Sequence, residues 1–254
     1  MNRNSCQYGR IRPLLVLEFN EIPWRLIDLY AGRGCHNLSR LIAVSETYTT
    51  MAVDEGELSP WVTWPSFHRG MGNGDHCVRN LGQPPDTFRG VPIWKEYRQR
   101  GLDVGVFGAM QSWPPKDPGT NGFHVPDTFA HDARCIPSYV EPFQRFNLDQ
   151  VKRNGRVVAE GTGGGGTLLG SLPRLGIRPR TFASLAAQLA GERINPARRA
   201  RRPVFQTILS WDIFRKLYRP RNPPAYASYF TNHVAGVMHR YWDHVFPEDF
   251  PPCS

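Results

Sequence analysis

The sequence contains no uninterrupted apolar run of about 18 residues, the length that spans a bilayer, so no transmembrane segment is expected. It also lacks the apolar core of a signal peptide near its start, because Leu14 to Leu17 is short and follows Pro13. A cytoplasmic chain is therefore expected. Five cysteines (Cys6, Cys35, Cys77, Cys135 and Cys253) are widely spaced, and no two form a Cys-x-x-Cys pair. This excludes a zinc ribbon, supplies no disulfide framework and fits a reducing compartment. The glycine-rich residues 161–166 lack the Lys-Ser/Thr of a phosphate loop and the Gly-x-Gly-x-x-Gly spacing of a dinucleotide fold. They read as a flexible joint.

Acidic residues are outnumbered: 22 Asp and Glu face 31 Lys and Arg, for a net charge of +9. Much of the excess is local, in Arg193, Arg198, Arg199, Arg201 and Arg202. No recognised nucleic-acid-binding module accompanies it, so a basic proteome or an anionic substrate accounts for the charge better than nucleic acid. Hydrophobic residues make up 40% of the 254 positions, enough to bury the core of a single domain. The 23 prolines and 24 glycines imply many loops.

Apolar runs and helical patterns alternate along the chain. Leu14 to Phe19 reads as a buried parallel strand ending in Asn20-Glu21, polar groups at the strand end where open α/β sheets bind ligands. Pro23 to Gly32 predicts a helix, and Asn37 would cap a second one with Leu38, Leu41 and Ile42 inward. Thr47 to Val53 predicts a strand, and Val91 to Arg100 a helix stopped by Gly101. Val104 to Gly108 predicts the next strand. Residues 112–142 read as an irregular excursion, continuing as a loosely structured region to 166. Thr181 to Ala190 predicts a helix, Val204 to Leu209 a strand, and Tyr226 to Phe246 a long amphipathic segment. The expected fold class is α/β: one doubly wound, mostly parallel sheet with helices on both faces, in a single domain over 1–254.

Residues 59–82 concentrate the chemistry. Thr63, Ser66, His68, Asp75 and His76 gather there among glycines, and a helix is expected from Pro65 to the glycines at 70–74. Either a nucleophile loop or a tight structural turn accounts for such a cluster.

Four stretches, taken in order, resemble the alkaline phosphatase superfamily, in particular its type I phosphodiesterase and nucleotide pyrophosphatase-like branch. They are the strand ending at Asn20-Glu21, the segment Cys35-His36-Asn37-Leu38-Ser39-Arg40-Leu41, the loop Val62-Thr63-Trp64-Pro65-Ser66 with Gly70 and Asp75-His76 after it, and Asn232-His233 through His239-Arg240-Tyr241-Trp242. The resemblance implies a metal-dependent hydrolase of phosphate, phosphodiester or sulfate esters, sulfatase-like in chemistry, with a small anionic ester as substrate. It implies two zinc ions, with Thr63 as nucleophile and metal ligand and Ser66 as the reserve nucleophile. Asn20, Glu21, His239 and His233 are the implied metal ligands. The implied logic is that coordination turns a poor hydroxyl nucleophile into an alkoxide. The sequence departs from the family pattern at Ala235, where an acid is usual, and contains no Asp-His-Gly turn. It therefore also reads as a truncated or catalytically incomplete member. A basic nucleic-acid or interaction protein is the third reading.

Overall fold

The computed structural model describes residues 12–56, 58–154 and 165–251. Four strands and ten α-helices occur among them. In chain order they are β1 (Leu14–Phe19), α1 (Trp24–Gly32), α2 (His36–Ala43), α3 (Pro60–Arg69), α4 (Asn73–His76), α5 (Ile93–Gln99), β2 (Val104–Phe107) and β3 (Phe123–Val125). There follow α6 (Glu141–Asn154), α7 (Gly165–Leu175), α8 (Pro179–Ile194), α9 (Arg202–Tyr218), β4 (Tyr226–Thr231) and α10 (His233–Val245).

The strands form one parallel sheet in the order β1-β4-β2-β3, flanked by helices, so the molecule is α/β and consistent with a doubly wound fold. β2 is its centre, with Val106 opposite Ser228 of β4 and Gly105 opposite Phe123 of β3. Alternation along the strands feeds two cores. Phe107, Phe123, Val125, Ala227 and Tyr229 pack against α6, α7 and α9 through Phe143, Leu172, Ile213 and Phe214. Val104, Val106 and Tyr226 face the other way, onto Trp94 of α5, with Val16 of β1 beside them. Gly105 is required at the centre, because a Cβ there would lie 2.4 Å from the Phe123 ring.

Several expectations change. β1 is an edge strand, and its side chains alternate: Leu15, Leu17 and Phe19 on one face are exposed while Val16 and Glu18 on the other face inward. Residues 47–53 form no strand: despite their β-branched composition they find no partner, and Tyr48, Met51 and Val53 are exposed. The helix expected from Pro65 starts at Pro60, whose missing N–H costs nothing in the first turn, and Pro65 lies inside it. In α2, Asn37 lies within the helix behind Cys35, and Leu41 points outward. Val204–Leu209 belongs to α9, not to a strand. Its apolar residues continue as Leu209, Ile213, Phe214 and Leu217, a helical spacing that a short run cannot reveal. Conversely, the helical pattern from Tyr226 hides β4, and the helix begins only at His233. The excursion over 112–142 contains β3, and α6 replaces the loose region up to Asn154. The glycine joint at 161–164 lies outside the described residues, and α7 starts at Gly165.

The described chain divides into two compact units. Residues up to Glu18 and Asp54–Phe230 make one; Phe19–Val53 and the residues from Thr231 onward make the other. No described helix is long and apolar enough to cross a membrane.

Candidate functional site

Of the implied metal ligands, Asn20, Glu21 and His239 meet in the smaller unit, after the adjacent strands β1 and β4, while Thr63 belongs to the other unit. The Asn20 backbone N–H donates to Thr231 O at 3.1 Å, which extends the pairing by one residue and fixes Glu21 just beyond it. Glu21 has φ 57°, in the left-handed region that glutamate rarely enters. Its carboxylate is held at both oxygens. Asn20 Nδ2 donates to Oε1 at 3.1 Å, and His239 Nε2 lies 2.7 Å from Oε2. Asn20 Nδ2 also donates to Asn232 Oδ1 at 2.6 Å. His239 and Glu21 are solvent-accessible, with side-chain exposures of 70% and 36%.

His233 is set apart from that pair. Its Nδ1 lies 3.1 Å from the Thr231 hydroxyl, and burial pulls its pKa down to about 4. It is therefore neutral at physiological pH and packed against its own helix start. The separation of six positions from His239, which puts the two on different faces of α10, accounts for this.

In the other unit, α3 arranges a second polar group. Ser66 Oγ donates to Asp54 Oδ1 at 2.9 Å and lies 2.8 Å from His76 Nε2. His76 Nδ1 accepts from Val78 N at 2.9 Å, so the proton of the neutral ring is on Nε2 and His76 donates to Ser66. Burial and the nearby Arg69 cation both lower the His76 pKa and favour that neutral ring. Asp54 Oδ1 also accepts from Asn73 N at 2.8 Å, which ties α4 to the same carboxylate. Thr63 sits within α3, past its first turn, with Oγ1 3.4 Å from Ser59 O. Its backbone N–H is used inside the helix, donating to Ser59 O. It is not at the helix N-terminus, where an anion would be favoured.

One turn beyond Ser66, Arg69 is largely buried. Its Nε and Nη1 are shielded from solvent and have no hydrogen-bond partner among the described residues. Burial pulls its pKa to about 10, and no carboxylate offsets the effect. The Phe88 ring lies 5.4 Å from the guanidinium and is its recorded aromatic contact. His68 faces the core instead: its Nε2 meets Glu18 Oε2 at 3.1 Å with both side chains fully buried. Asp75 is exposed on α4.

Thr63 and Ser66 thus belong to one unit, and Asn20, Glu21, His233 and His239 to the other. Asp54 and Arg69 were not foreseen from the sequence. Arg69 had a usable signal, its i, i+3 spacing from Ser66; Asp54, twelve positions before Ser66, had none. Among the described residues, no three His, Cys, Asp or Glu side chains gather as a metal centre. The donor set after β1 and β4 therefore does not fit a pair of zinc ions. It offers one carboxylate and one imidazole, with amide groups beside them. Comparison with protein-family models, with curated proteins and with solved structures finds no match.

Proposed function

We propose that the protein acts on anionic esters of the phosphate, phosphodiester or sulfate class as a divalent-metal-dependent hydrolase. The observation that supports this reading is the approach of Glu21 to His239 at 2.7 Å, from segments 218 positions apart. Both are metal ligands under the resemblance to the alkaline phosphatase superfamily. They lie at the strand ends where open α/β sheets place their ligands. Zinc is the ion to test first, because a carboxylate and an imidazole are ordinary zinc donors. One ion fits this donor pair better than the two of the resemblance.

An ion bound here would stabilise the negative charge that develops on the ester oxygens. The chain's own part is orientation. Asn20 holds Oε1 of Glu21, which leaves Oε2 turned to His239. Glu21 and His239 would hold the ion, and an imidazole must be neutral to do so. Metal affinity should accordingly rise with pH. Under the resemblance Thr63 is the attacking hydroxyl and Ser66 the reserve, both in the other compact unit.

A second reading, a relative that binds the ester without turnover, is favoured by the hydroxyls. Ser66 is committed to Asp54 and to Val62 O, and Thr63 Oγ1 is turned to Ser59 O. Zinc titration calorimetry, with turnover of p-nitrophenyl phosphate, bis-p-nitrophenyl phosphate and p-nitrophenyl sulfate, separates the two. Binding of about one zinc per chain, weakened at least tenfold in His239→Ala and Glu21→Gln, with turnover lost in Thr63→Ala, supports the hydrolase. Zinc binding without turnover supports the second reading. Absence of zinc binding overturns the metal site.

A further inference from the structure

α8 turns a largely polar face inward. Thr181, Gln188, Gly191 and Glu192 are its buried residues, with Leu185 half-buried on the same face. That polar interior is satisfied: Gln188 Nε2 donates to Glu192 Oε1 at 2.9 Å and to Arg198 O at 2.7 Å, and Arg202 Nη2 donates to Glu192 Oε2 at 2.7 Å. Beside it, about 100° round the helix, an apolar stripe faces solvent. Phe182, Ala186, Leu189 and Ala190 follow the i, i+4, i+7, i+8 pattern and are exposed, and Ile194 at the helix end is 88% exposed. A surface helix of a globular protein normally has the opposite arrangement.

Exposed arginines share this surface, and Arg193, four positions after Leu189, lies within the stripe. Arg180, Arg193, Arg198, Arg199 and Arg201 are exposed on α8 and on the 3-10 helix Pro196–Arg201 that follows it. The one acid between Pro179 and Arg202 is Glu192, which is buried and paired with Arg202. Arg178 is engaged by Asp212 at the helix start. The exposed face thus combines apolar surface with positive charge and carries no carboxylate.

We propose that α8 and Pro196–Arg201 form a docking surface for an anionic phospholipid membrane. The helix would lie in the interface plane, with Phe182 and Leu189 in the acyl boundary and the arginines among the headgroups. A nucleic acid would use the arginines but has no place for an aliphatic stripe, whereas an anionic bilayer interface uses both. A second copy of the chain packed on the same face would bring two cationic surfaces together, which is repulsive. The surface is independent of the metal site and is tested without it.

The test is vesicle flotation of the full chain. Vesicles of phosphatidylcholine alone are compared with vesicles containing about one-third phosphatidylserine. The chain is expected to float with the anionic vesicles and to be released by high salt. Phe182→Ser with Leu189→Ser keeps the charge and should weaken partitioning about tenfold. Arg198→Ala with Arg199→Ala should weaken it about thirtyfold, at roughly fivefold per basic residue. Circular dichroism confirms that each variant is folded. The proposal is overturned if folded wild type ignores anionic vesicles. It is equally overturned if the serine variant still floats and duplex DNA displaces it, the mark of a purely electrostatic surface. Light scattering that shows a dimer which the serine variant dissociates would assign the face to a second copy instead.

Discussion

His76 donates to the hydroxyl of Ser66 across 2.8 Å, and Ser66 passes its own proton toward Asp54. In a Ser-His-Asp triad the serine donates to the imidazole; here the serine stands between imidazole and carboxylate, and the direction is reversed. The arrangement serves to tie α3, α4 and Asp54 together. Replacing Ser66 with Ala leaves His76 Nε2–H and one Asp54 contact unmade in a buried place. Unfolding free energy in urea should fall by about 1–3 kcal/mol. Turnover of any ester in Ser66→Ala that stays near wild type would leave Thr63 as the nucleophile, and a collapse of turnover in folded protein would transfer the role to Ser66.

Acid should destabilise the fold. Burial lowers His124 and His233 to about 4 from 6.5, and His76 is also lowered. Below pH 6.5 the unfolded chain takes up protons at these histidines that the folded chain refuses, so their contribution is present above that pH and fades as pH falls toward 4. Asp127 works the other way. Burial raises it to about 6 from 3.8, so the folded chain holds its proton first and gains stability as pH drops below 6. His124 and His233 against Asp127 leave a net uptake of about one proton on unfolding, a slope of up to about 1.4 kcal/mol per pH unit, and His76 acts in the same direction as the two histidines. Urea midpoints at pH 7.5, 6 and 5 should decline steeply. A flat or rising series would refute the buried, neutral state of the histidines.

Glu18 and His68 form a fully buried pair at 3.1 Å, with Glu18 Oε1 and His68 Nδ1 lacking any partner among the described residues. Removing one member strands the other, at a cost of about 3–5 kcal/mol. Glu18→Ala and His68→Ala should therefore each lower the thermal midpoint markedly. The double variant Glu18→Leu with His68→Phe should recover much of the loss, because it empties the site of polar groups. Equal losses in the single and double variants would indicate packing as the cause.

Gly105→Ala probes the sheet centre. Its Cβ would meet Cζ and Cε1 of Phe123 at 2.4 and 2.5 Å, between two strands that leave the ring little room. Overpacking of this kind costs about 1–3 kcal/mol. Adding Phe123→Leu should relieve part of it, measurable as a partial recovery of the urea midpoint. Gly32→Ala, where a Cβ meets nothing within 4 Å, is the matched control.

The sequence alone was enough for the α/β class, for β1, α1 and β2, and for the stop of α5 at Gly101, because these rest on local periodicity and on breaker residues. The end of β1 marks Asn20 and Glu21 as polar groups at a strand terminus, whereas His239 enters only through the resemblance. Local pattern could not distinguish α9 from a strand at Val204–Leu209, nor β4 from the start of a helix, because short apolar runs suit either state and burial against neighbours decides. Only the tertiary structure determined which strand lies at the edge, and that the face of β1 carrying Leu15, Leu17 and Phe19 remains exposed. Only the tertiary structure aimed the Ser66 proton at Asp54, since hydrogen-bond direction depends on what His76 Nδ1 accepts. That α8 turns Gln188 and Glu192 inward is likewise invisible in composition, because it is set by the partners these side chains find in the chain folded around them.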